Sequence, residues 1–358
     1  MSKSEKNKTK KVWKIILIVL IILVLLAGIL FLVAKFFING KFNKMNYETI
    51  NESNLGVSEQ EKSSMSNYRN IAILGIDSFY NDYEDFARSD TIMVASINKN
   101  NDNVNLFSIY RDTLVQMDLY GKTRLDKINH AYYGGVETTL KTINTNFDLN
   151  ITEYVAVDYK AVTKMVDKVG GVEMNITADE LKYINGYIKA INQVNGTKDA
   201  NLTKTGLQTL NGTQATAYAR IRYTEGGDYK RAERARDVVQ KAFTKLKKMN
   251  VMEINSVIDE ILPLVKTNIE KNEINELLPK ALNLNVNKTF GFPYNVQDTQ
   301  IDLHDHYKGT KEGVDSYDVP VSLAADVERL HRENFGEDYT ASETVKNIEK
   351  SIKETIKK

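Results

Sequence analysis

The chain has 358 residues, and its 48 Lys and Arg residues nearly balance 47 Asp and Glu residues, which leaves a formal net charge of +1. A protein with this balance is not built to coat nucleic acid, so we expect no nucleic-acid partner and only local electrostatic function. Cysteine is absent, which excludes disulfides, cysteine-ligated metal sites and a thiol nucleophile. The length is sufficient for one large domain or two modest ones.

An uninterrupted apolar run, IILIVLIILVLLAGILFLVA, occupies residues 15–34. As a helix it would be about 30 Å long, which matches the hydrocarbon core of a bilayer. The preceding residues contain six lysines and one acidic residue, and the flank that follows is less basic. The positive-inside bias therefore predicts a cytoplasmic basic tail over 1–14, a single transmembrane anchor over 15–35 and an extracellular remainder.

A cleaved signal peptide is the alternative interpretation of this run. Its apolar region would be shorter, and small residues would follow it at the cleavage site. The sequence that follows here, KFFINGKFN, has no such site. Residues 36–66 are polar, with little apolar periodicity, and they predict an extracellular stalk between the anchor and a folded domain.

Short apolar runs begin after the predicted stalk and alternate with amphipathic segments. The predicted strands are RNIAILGID, DTIMVASI, NVNLFSIY, YVAVDY and GGVEMNI. The segments VETTLKTINTNF and YKAVTKMVDKVG have apolar residues at three- and four-residue spacing, which predicts helices. This alternation predicts an α/β fold, an α/β/α sandwich around a central mixed β-sheet. We expect a catalytic domain over 67–250 and a C-terminal extension over 251–358, packed on the core or following it.

Arginine is concentrated in one short stretch, YARIRYTEGGDYKRAERARDVV. Lysine supplies 37 of the 48 basic residues, and five of the 11 arginines lie between Arg220 and Arg236. AYARIRY predicts a strand in which Arg220 and Arg222 share a face, because alternate side chains of a strand point the same way. A glycine turn follows, and helical spacing after it makes Arg231 and Arg234 neighbours while Arg236 diverges from Arg234. Asp228 stands at the predicted N-cap of this helix.

Other charged residues lie at the ends of the predicted strands, where ligands bind in α/β sheets. Asp77 ends the first strand, Arg88 and Asp90 precede the second, and the pair Arg111 and Asp112 ends the third. The planar guanidinium binds phosphate oxygens in pairs, so this choice of arginine indicates a phosphate or pyrophosphate ligand. The aspartates would repel that ligand unless a divalent cation such as Mg²⁺ lay between them. Structural ion pairs are the competing interpretation.

Seven ordered motifs carry a resemblance to a known family, and the resemblance covers residues 68 to about 249. They are NIAILGID (70–77), RSDTIMVASIN (88–98), LFSIYRDT (106–113), KINHAYYGG (127–135), VDKVGGV (166–172), LNGTQATAYARIRY (210–223) and GGDYKRAER (226–234). In this order they resemble the LytR-CpsA-Psr family of bacterial cell-envelope proteins. Serine-hydrolase, Walker and dinucleotide-binding motifs are absent from the sequence.

The resemblance implies a membrane-anchored, Mg²⁺-dependent phosphotransferase. Such an enzyme attaches a glycopolymer (teichoic acid, capsular polysaccharide or rhamnan) from a polyprenyl-pyrophosphate carrier to peptidoglycan. The alternatives are a polyprenyl-pyrophosphate hydrolase and a non-catalytic lipid-binding regulator of the envelope. The implied cofactor is Mg²⁺, and the implied partners are the lipid-linked glycan, peptidoglycan and the membrane.

By motif position the resemblance also implies roles for individual residues. Asp77 and Asp90 would bind the metal. The pyrophosphate would be bound by Arg88, Arg111, Arg220, Arg222 and Arg231, with Asp228 supporting the site. The catalytic set would be Arg88, Asp90, Arg111 and Asp112, and the choice of a general base between Asp90 and Asp112 stays open. The sequence departs from the family at Ala235, where glutamine is common after the second arginine of Arg-x-x-Arg, which puts a substrate contact in doubt.

Overall fold

The computed structural model describes residues 46–77, 87–270, 282–307, 310–336 and 338–357, together with Glu273 and Lys280. The basic tail and the anchor predicted over 1–14 and 15–35 lie outside these residues. Within the described part of the chain, no helix is both long enough and apolar enough to cross a membrane.

Strands and helices alternate along the described chain. The strands are β1 (Asn46–Tyr47), β2 (Tyr68–Asp77), β3 (Arg88–Asn98), β4 (Asn103–Ile109), β5 (Leu114–Leu119), β6 (Lys122–Lys127), β7 (Glu153–Val157), β8 (Val172–Ile176), β9 (Gly206–Leu210), β10 (Val265–Thr267), β11 (Asn285–Phe292), β12 (Val296–Ile301) and β13 (Asp315–Pro320). The α-helices are α1 (Glu59–Ser64), α2 (Gly135–Phe147), α3 (Tyr159–Lys168), α4 (Ala178–Asn195), α5 (Gly212–Tyr218), α6 (Gly227–Leu246), α7 (Val251–Ile261), α8 (Leu323–Leu330) and α9 (Glu343–Ile356). A 3₁₀ segment over Ile128–Gly134 precedes α2.

The main sheet of the described residues has the strand order β1-β10-β7-β2-β3-β4-β11. β2 runs antiparallel to β3 and parallel to β7, and β3 runs antiparallel to β4. β11 lies parallel to β4 at one edge, while β10 runs antiparallel to β7 near the other. The prediction of a central mixed sheet is therefore confirmed.

Helices cover both faces of this sheet. Successive side chains of each strand point to opposite sides, so both faces carry apolar side chains that need to be covered. Leu74 of β2 belongs to the large core that also includes residues of α2 and α9, whereas its neighbour Ile73 faces the other side. On that other side Met93 of β3 packs with Ala235 of α6. A third group of buried residues lies among α3, α4, α5 and the antiparallel pair of β8 and β9.

The stalk predicted over 36–66 is wrong for its described part, residues 46–66. Leu55 and Met65 are fully buried in the large core, and the Asn144 side chain of α2 donates a hydrogen bond to the Leu55 carbonyl at 3.0 Å. These buried residues have neither the two-residue nor the helical spacing that marks an element in a sequence, so the pattern resembled a linker.

Residues after 250 also belong to the folded body and do not merely follow it. β10 and β11 are strands of the main sheet, and α9 buries Val345, Ile348 and Ile352 against the large core. A boundary at residue 250 therefore does not separate two sheets or two cores.

Candidate functional site

The predicted site residues on the strands meet at one edge of the main sheet. β2 ends at Asp77, which pairs in register with Arg88 at the start of the antiparallel β3. β4 is antiparallel to β3, so Arg111, which follows the end of β4, lies at the same edge as Asp90. The order of the strands thus brings together three separate segments of the chain.

Asp90 is the centre of a buried network of charges. Its Oδ1 accepts hydrogen bonds from Arg111 Nη1 at 2.8 Å and Asn129 Nδ2 at 3.2 Å. Its Oδ2 accepts one from Arg222 Nη2 at 3.0 Å, and Arg231 Nη1 lies 4.0 Å from the same oxygen. Burial alone would raise the pKa of Asp90, but the surrounding guanidinium groups outweigh it and hold this pKa far below its ordinary value.

Asp228 is a second carboxylate shared by the same three arginines. It contacts Arg231 Nη2 at 3.1 Å, Arg111 Nε at 3.3 Å and Arg222 Nε at 3.9 Å. The prediction that Asp228 is an N-cap is wrong: Gly226, with φ of 82°, is the N-cap, and Asp228 lies in the first turn of α6. A carboxylate in a first turn is stabilised by the helix dipole, and from there it reaches the arginines.

Asp77 and Arg220 form an adjoining pair. Arg220 Nη2 lies 3.4 Å from Asp77 Oδ2, and its guanidinium carbon lies 4.2 Å from the centre of the Tyr159 ring. Asp77 Oδ1 is buried and has no hydrogen-bond partner. Burial and the charge of Asp90 raise the pKa of Asp77, and Arg220, Tyr159 and Arg222 offset this rise only in part.

Arg220 and Arg222 reach the site from a turn, so the predicted strand over AYARIRY is wrong. Residues 212–218 form α5, which begins with a capping box in which Asn211 and Gln214 satisfy each other's backbone amides. This local helix signal, followed by alanine-rich sequence, outweighs the alternation of Arg-x-Arg. Arg220 and Arg222 still point to one site, but the turn after α5 directs them there.

Two arginines of the stretch YARIRYTEGGDYKRAERARDVV lie outside the network around Asp90 and Asp228. Arg234 is only 2% exposed, and it binds Glu180 Oε1 at 2.8 Å and the Ile221 carbonyl at 3.0 Å. It therefore fastens α4 to the turn that carries Arg222. Arg236 lies near Tyr110, and burial lowers the pKa of its guanidinium.

The remaining predicted residues lie at the periphery of the network. Asp112 Oδ2 lies 3.3 Å from Arg111 Nε, and its other oxygen lies 3.9 Å from Lys127 Nζ. Arg88 is exposed, and its charge acts on the phenol of Tyr133. No ion pair between described residues joins Arg88 to the Asp90 network.

A cleft opens beside the arginines. Asp90, Arg220 and Arg231 line one part of it. The rest is mainly apolar and lies between the sheet and the helices α3, α5 and α6, with walls that include Ile73, Met93, Val162, Ala235, Val238 and Val239. The small side chain of Ala235 lies between the arginines and the apolar part on α6.

No set of three or more His, Asp or Glu side chains within the described residues is arranged to hold a metal ion by itself. Asp77 and Asp90 nevertheless lie close enough for the charge of each to act on the other.

Two side chains of the site were not singled out from the sequence. Asn129 donates to Asp90, and it lies in the 3₁₀ segment whose sequence, KINHAYYGG, is one of the matched motifs. Tyr159 stacks on Arg220 at the start of α3, and it is the last residue of the predicted strand YVAVDY. The position of Tyr159 at the end of a predicted strand was the available signal, whereas only the fold shows that Asn129 reaches Asp90.

The fold and the site define a class of protein: an α/β protein whose arginine-rich, carboxylate-lined site continues into an apolar cleft. The chain belongs to the LytR_cpsA_psr family, whose model matches residues 33–319.

Relatives with assigned names are similar over much of this chain. A polyisoprenyl-teichoic acid–peptidoglycan teichoic acid transferase, TagU, from Enterococcus faecalis is 31% identical over 254 residues, which are 68% of this chain and 73% of TagU. A TagU from Bacillus anthracis is 32% identical over 227 residues, which are 63% of this chain and 67% of that protein.

Solved structures share the fold at lower identity. The protein gbs0355 from Streptococcus agalactiae matches with a TM-score of 0.59 and 22% identity, over 80% of this chain and 93% of that one. TagT bound to LIIa-WTA matches with a TM-score of 0.54 and 21% identity, over 76% and 93% of the two chains. YwtF (TagT) with bound octaprenyl pyrophosphate lipid has a TM-score of 0.51 and 21% identity, over 76% and 92%.

Proposed function

We propose that this protein is a transferase that moves a glycopolymer from a polyprenyl-pyrophosphate carrier to peptidoglycan. The observation that carries the proposal is the convergence of Arg111, Arg220, Arg222 and Arg231 beside an apolar cleft. A lipid pyrophosphate has the same two parts, an anionic group and a hydrocarbon tail. Membership of the family and the transferase names of the TagU relatives support the same activity.

The arginines are suited to bind a pyrophosphate because their positions are fixed before any ligand binds. Asp90 and Asp228 hold Arg111, Arg222 and Arg231 in a cluster, and the last is almost completely buried. Preorganised donors need little reorganisation when charge develops on the phosphate oxygens. The apolar walls of the cleft would bury the prenyl chain, a favourable transfer out of water.

Mg²⁺ fits the carboxylates of this site. Asp77 Oδ1 is a buried oxygen without a hydrogen-bond partner, beside Asp90, and hard oxygen ligands are those that Mg²⁺ binds. We propose that Asp77 and Asp90 hold the ion, with phosphate oxygens completing its shell. When bound, Mg²⁺ would offset the negative charge of the pyrophosphate and polarise its phosphorus–oxygen bonds.

In the proposed reaction, a sugar hydroxyl of peptidoglycan attacks the phosphorus attached to the glycopolymer. The bond from that phosphorus to the bridging oxygen breaks, and polyprenyl phosphate leaves. Arg111, Arg222 and Arg231 stabilise the charge that accumulates on the phosphate oxygens. No covalent protein intermediate is needed.

We also propose that the chain is anchored in the cell membrane, with its N-terminus cytoplasmic and its folded body outside. The apolar run over 15–34 and the lysines before it support this orientation. An anchor would keep the site close to a donor that is itself held in the membrane by its prenyl chain.

Product analysis of the purified full-length protein tests the proposed function. The protein in detergent is mixed with lipid-pyrophosphate glycan, Mg²⁺ and peptidoglycan oligomers. We expect glycan covalently attached to peptidoglycan together with released polyprenyl phosphate. Free glycan phosphate alone would show hydrolysis, and tight binding without turnover would show a lipid-binding regulator.

A further inference from the structure

A second group of carboxylates lies next to the arginine network, where β13 meets the segment after β4. The backbone amide of Asp318 donates to the Asp112 carbonyl at 2.9 Å, and Thr113 forms an isolated bridge with Asp318. Asp318 is only 8% exposed. It lies far along the chain from the matched motifs and is brought beside Asp112 by the fold alone.

Tyr229 is the partner of Asp318 and the neighbour in the chain of Asp228, which belongs to the arginine network. Its hydroxyl donates to Asp318 Oδ1 at 2.6 Å, while Asp318 Oδ2 is buried without a hydrogen-bond partner. Tyr229 follows Asp228 directly in the first turn of α6, and Asp228 contacts Arg111 and Arg231. The Tyr229 hydroxyl and Asp318 thus form a hydrogen-bonded pair next in the chain to Asp228 of the arginine network, and the charge of Asp228 acts on Asp318.

We propose that Asp318, acting through the Tyr229 hydroxyl, accepts the proton of the attacking hydroxyl in the transfer reaction. The inference rests on the proposed function and assigns the proton acceptor that the sequence left open between Asp90 and Asp112. Asp90 is a poor proton acceptor because the positive charges of three arginines make it bind a proton weakly. Asp112 is also a poor candidate, since it lies beside the positively charged Arg111 and Lys127. No ion pair joins Asp318 to a lysine or arginine of the described chain.

The surroundings of Asp318 make it basic enough for this role. Burial and the charges of the neighbouring carboxylates together raise its pKa to about 6, although the hydrogen bond from Tyr229 acts in the opposite direction. A proton acceptor works best when its pKa lies near the working pH. The titratable groups that face Asp318 are Tyr110, Asp112, Asp228, Tyr229 and Asp298.

The proton balance of the step is as follows. The oxygen of the attacking peptidoglycan hydroxyl bonds to the glycan-linked phosphorus as the bond from phosphorus to the bridging oxygen breaks. The proton of the attacking hydroxyl passes to the Tyr229 oxygen, and the Tyr229 proton passes to Asp318 Oδ1. Polyprenyl phosphate leaves with the bonding electron pair, and Asp318 later returns its proton to solvent.

Steady-state kinetics against pH test the relay with two variants, Asp318→Asn and Tyr229→Phe. The rate of the wild type should rise with pH through about 6, because Asp318 must be ionised to accept a proton. Each variant should lower kcat about 100-fold with little change in KM, and Asp318→Asn should abolish the rise. The exposed Asp118, which pairs with Lys141, provides a control: Asp118→Asn should behave as the wild type.

Asp298→Asn gives a graded version of the same test. Asp298 lies opposite Asp318 in the β12–β13 pair, and its negative charge raises the pKa of Asp318. Removal of this charge should shift the rise of the rate to lower pH and leave kcat unchanged. A variant Asp318→Asn that retained kcat, or that lost kcat but kept the rise near pH 6, would overturn the relay. The second outcome would show that Asp318 only supports the structure.

A measurement that does not depend on activity separates this inference from the proposed function. The raised pKa means that Asp318 favours the folded state while protonated, so its contribution to stability is lost as pH rises from about 4 to about 6. Asp318→Asn should lack this loss. A wild type that showed the loss but made no transfer product would disprove the transferase and the relay together. An active wild type matched by Asp318→Asn would disprove only the relay.

Discussion

Arg111, Arg222 and Arg231 share the carboxylates of Asp90 and Asp228, and this sharing depends on the shape of the guanidinium group. Each arginine offers several donors in one plane, so it can contact two carboxylates at once and still present edges to a ligand. Lysine would offer a single charged point. The switch from lysine to arginine in this part of the sequence therefore has a direct geometric reason.

Arg231→Lys tests this reason. Arg231 Nη2 donates to the Asp90 carbonyl at 2.8 Å and contacts Asp228 Oδ2 at 3.1 Å, and lysine cannot make both contacts in that geometry. We expect the transfer rate to fall about 100-fold while the protein still folds. Arg329→Lys, at an exposed ion pair with Glu333, should leave the rate unchanged. Turnover of Arg231→Lys close to that of the wild type would contradict the phosphate-binding role.

Asp77→Asn tests the proposed metal site at the scale of a single residue. The substitution keeps the size of the side chain but removes the charge from the unpartnered Oδ1. We expect the Mg²⁺ concentration for half-maximal activity to rise about tenfold or more, measured by titration of the metal at saturating donor. An unchanged titration would remove Asp77 from the metal site. Asp118→Asn again provides a control variant.

At the scale of elements, α5 and the turn after it position Arg220 and Arg222. α5 begins at Gly212, whose amide donates to Asp167 Oδ1 at 2.6 Å, and this contact brings α5 close to α3. A Cβ on Gly212 would collide with the Thr163 carbonyl and would lie 2.7 Å from Asp167 Oδ2. The close approach of the two helices therefore sets where the following turn places its arginines.

Gly212→Ala should move α5 away from α3 and lower both the stability and the transfer activity of the protein. We expect a loss of about 1–3 kcal/mol of unfolding free energy and a lower transfer rate. Gly186→Ala is the matched control, because Gly186 lies within α4 and nothing lies within 4 Å of its added Cβ. That control should stabilise the protein by about 0.5–1 kcal/mol. Thermal unfolding and the transfer assay measure the two effects, and equal behaviour of both variants would contradict the packing argument.

At the scale of the whole molecule, the segment before the first long strand is part of the core. Leu55 and Met65 are fully buried with residues of α2 and β2, although the sequence around them is polar. The folded body therefore extends from at least residue 46 to α9. A chain that began at residue 67 would expose the surface that Leu55 and Met65 cover.

Leu55→Ala measures the contribution of this segment. We expect a loss of about 2–5 kcal/mol in the free energy of unfolding, because the substitution leaves a cavity in a packed core. Leu207→Ala, at a leucine that is 71% exposed, should change it by less than about 0.5 kcal/mol. Urea unfolding of the two variants compares them directly. A small effect of Leu55→Ala would restore the interpretation of this segment as a stalk.

Much of the sheet was predictable because its strands carry continuous apolar runs, as in NIAILGID, and α6 was predictable from its apolar spacing. The strand predicted over AYARIRY failed because alternation over a few residues also occurs where a helix ends in a turn. The role of Arg234 was not predictable, since its partner Glu180 is 54 residues away along the chain. Nothing in its local sequence distinguishes it from Arg231.

The sequence by itself determined the alternation of strands and helices, the family, and the concentration of arginines with aspartates at strand ends. These follow from side-chain chemistry and local spacing. Only the tertiary structure decided which arginines share Asp90, that residues 46–66 belong to the core, and that Asp318 lies beside Tyr229. Those contacts join segments far apart in the chain, and the packing of strands and helices selects them.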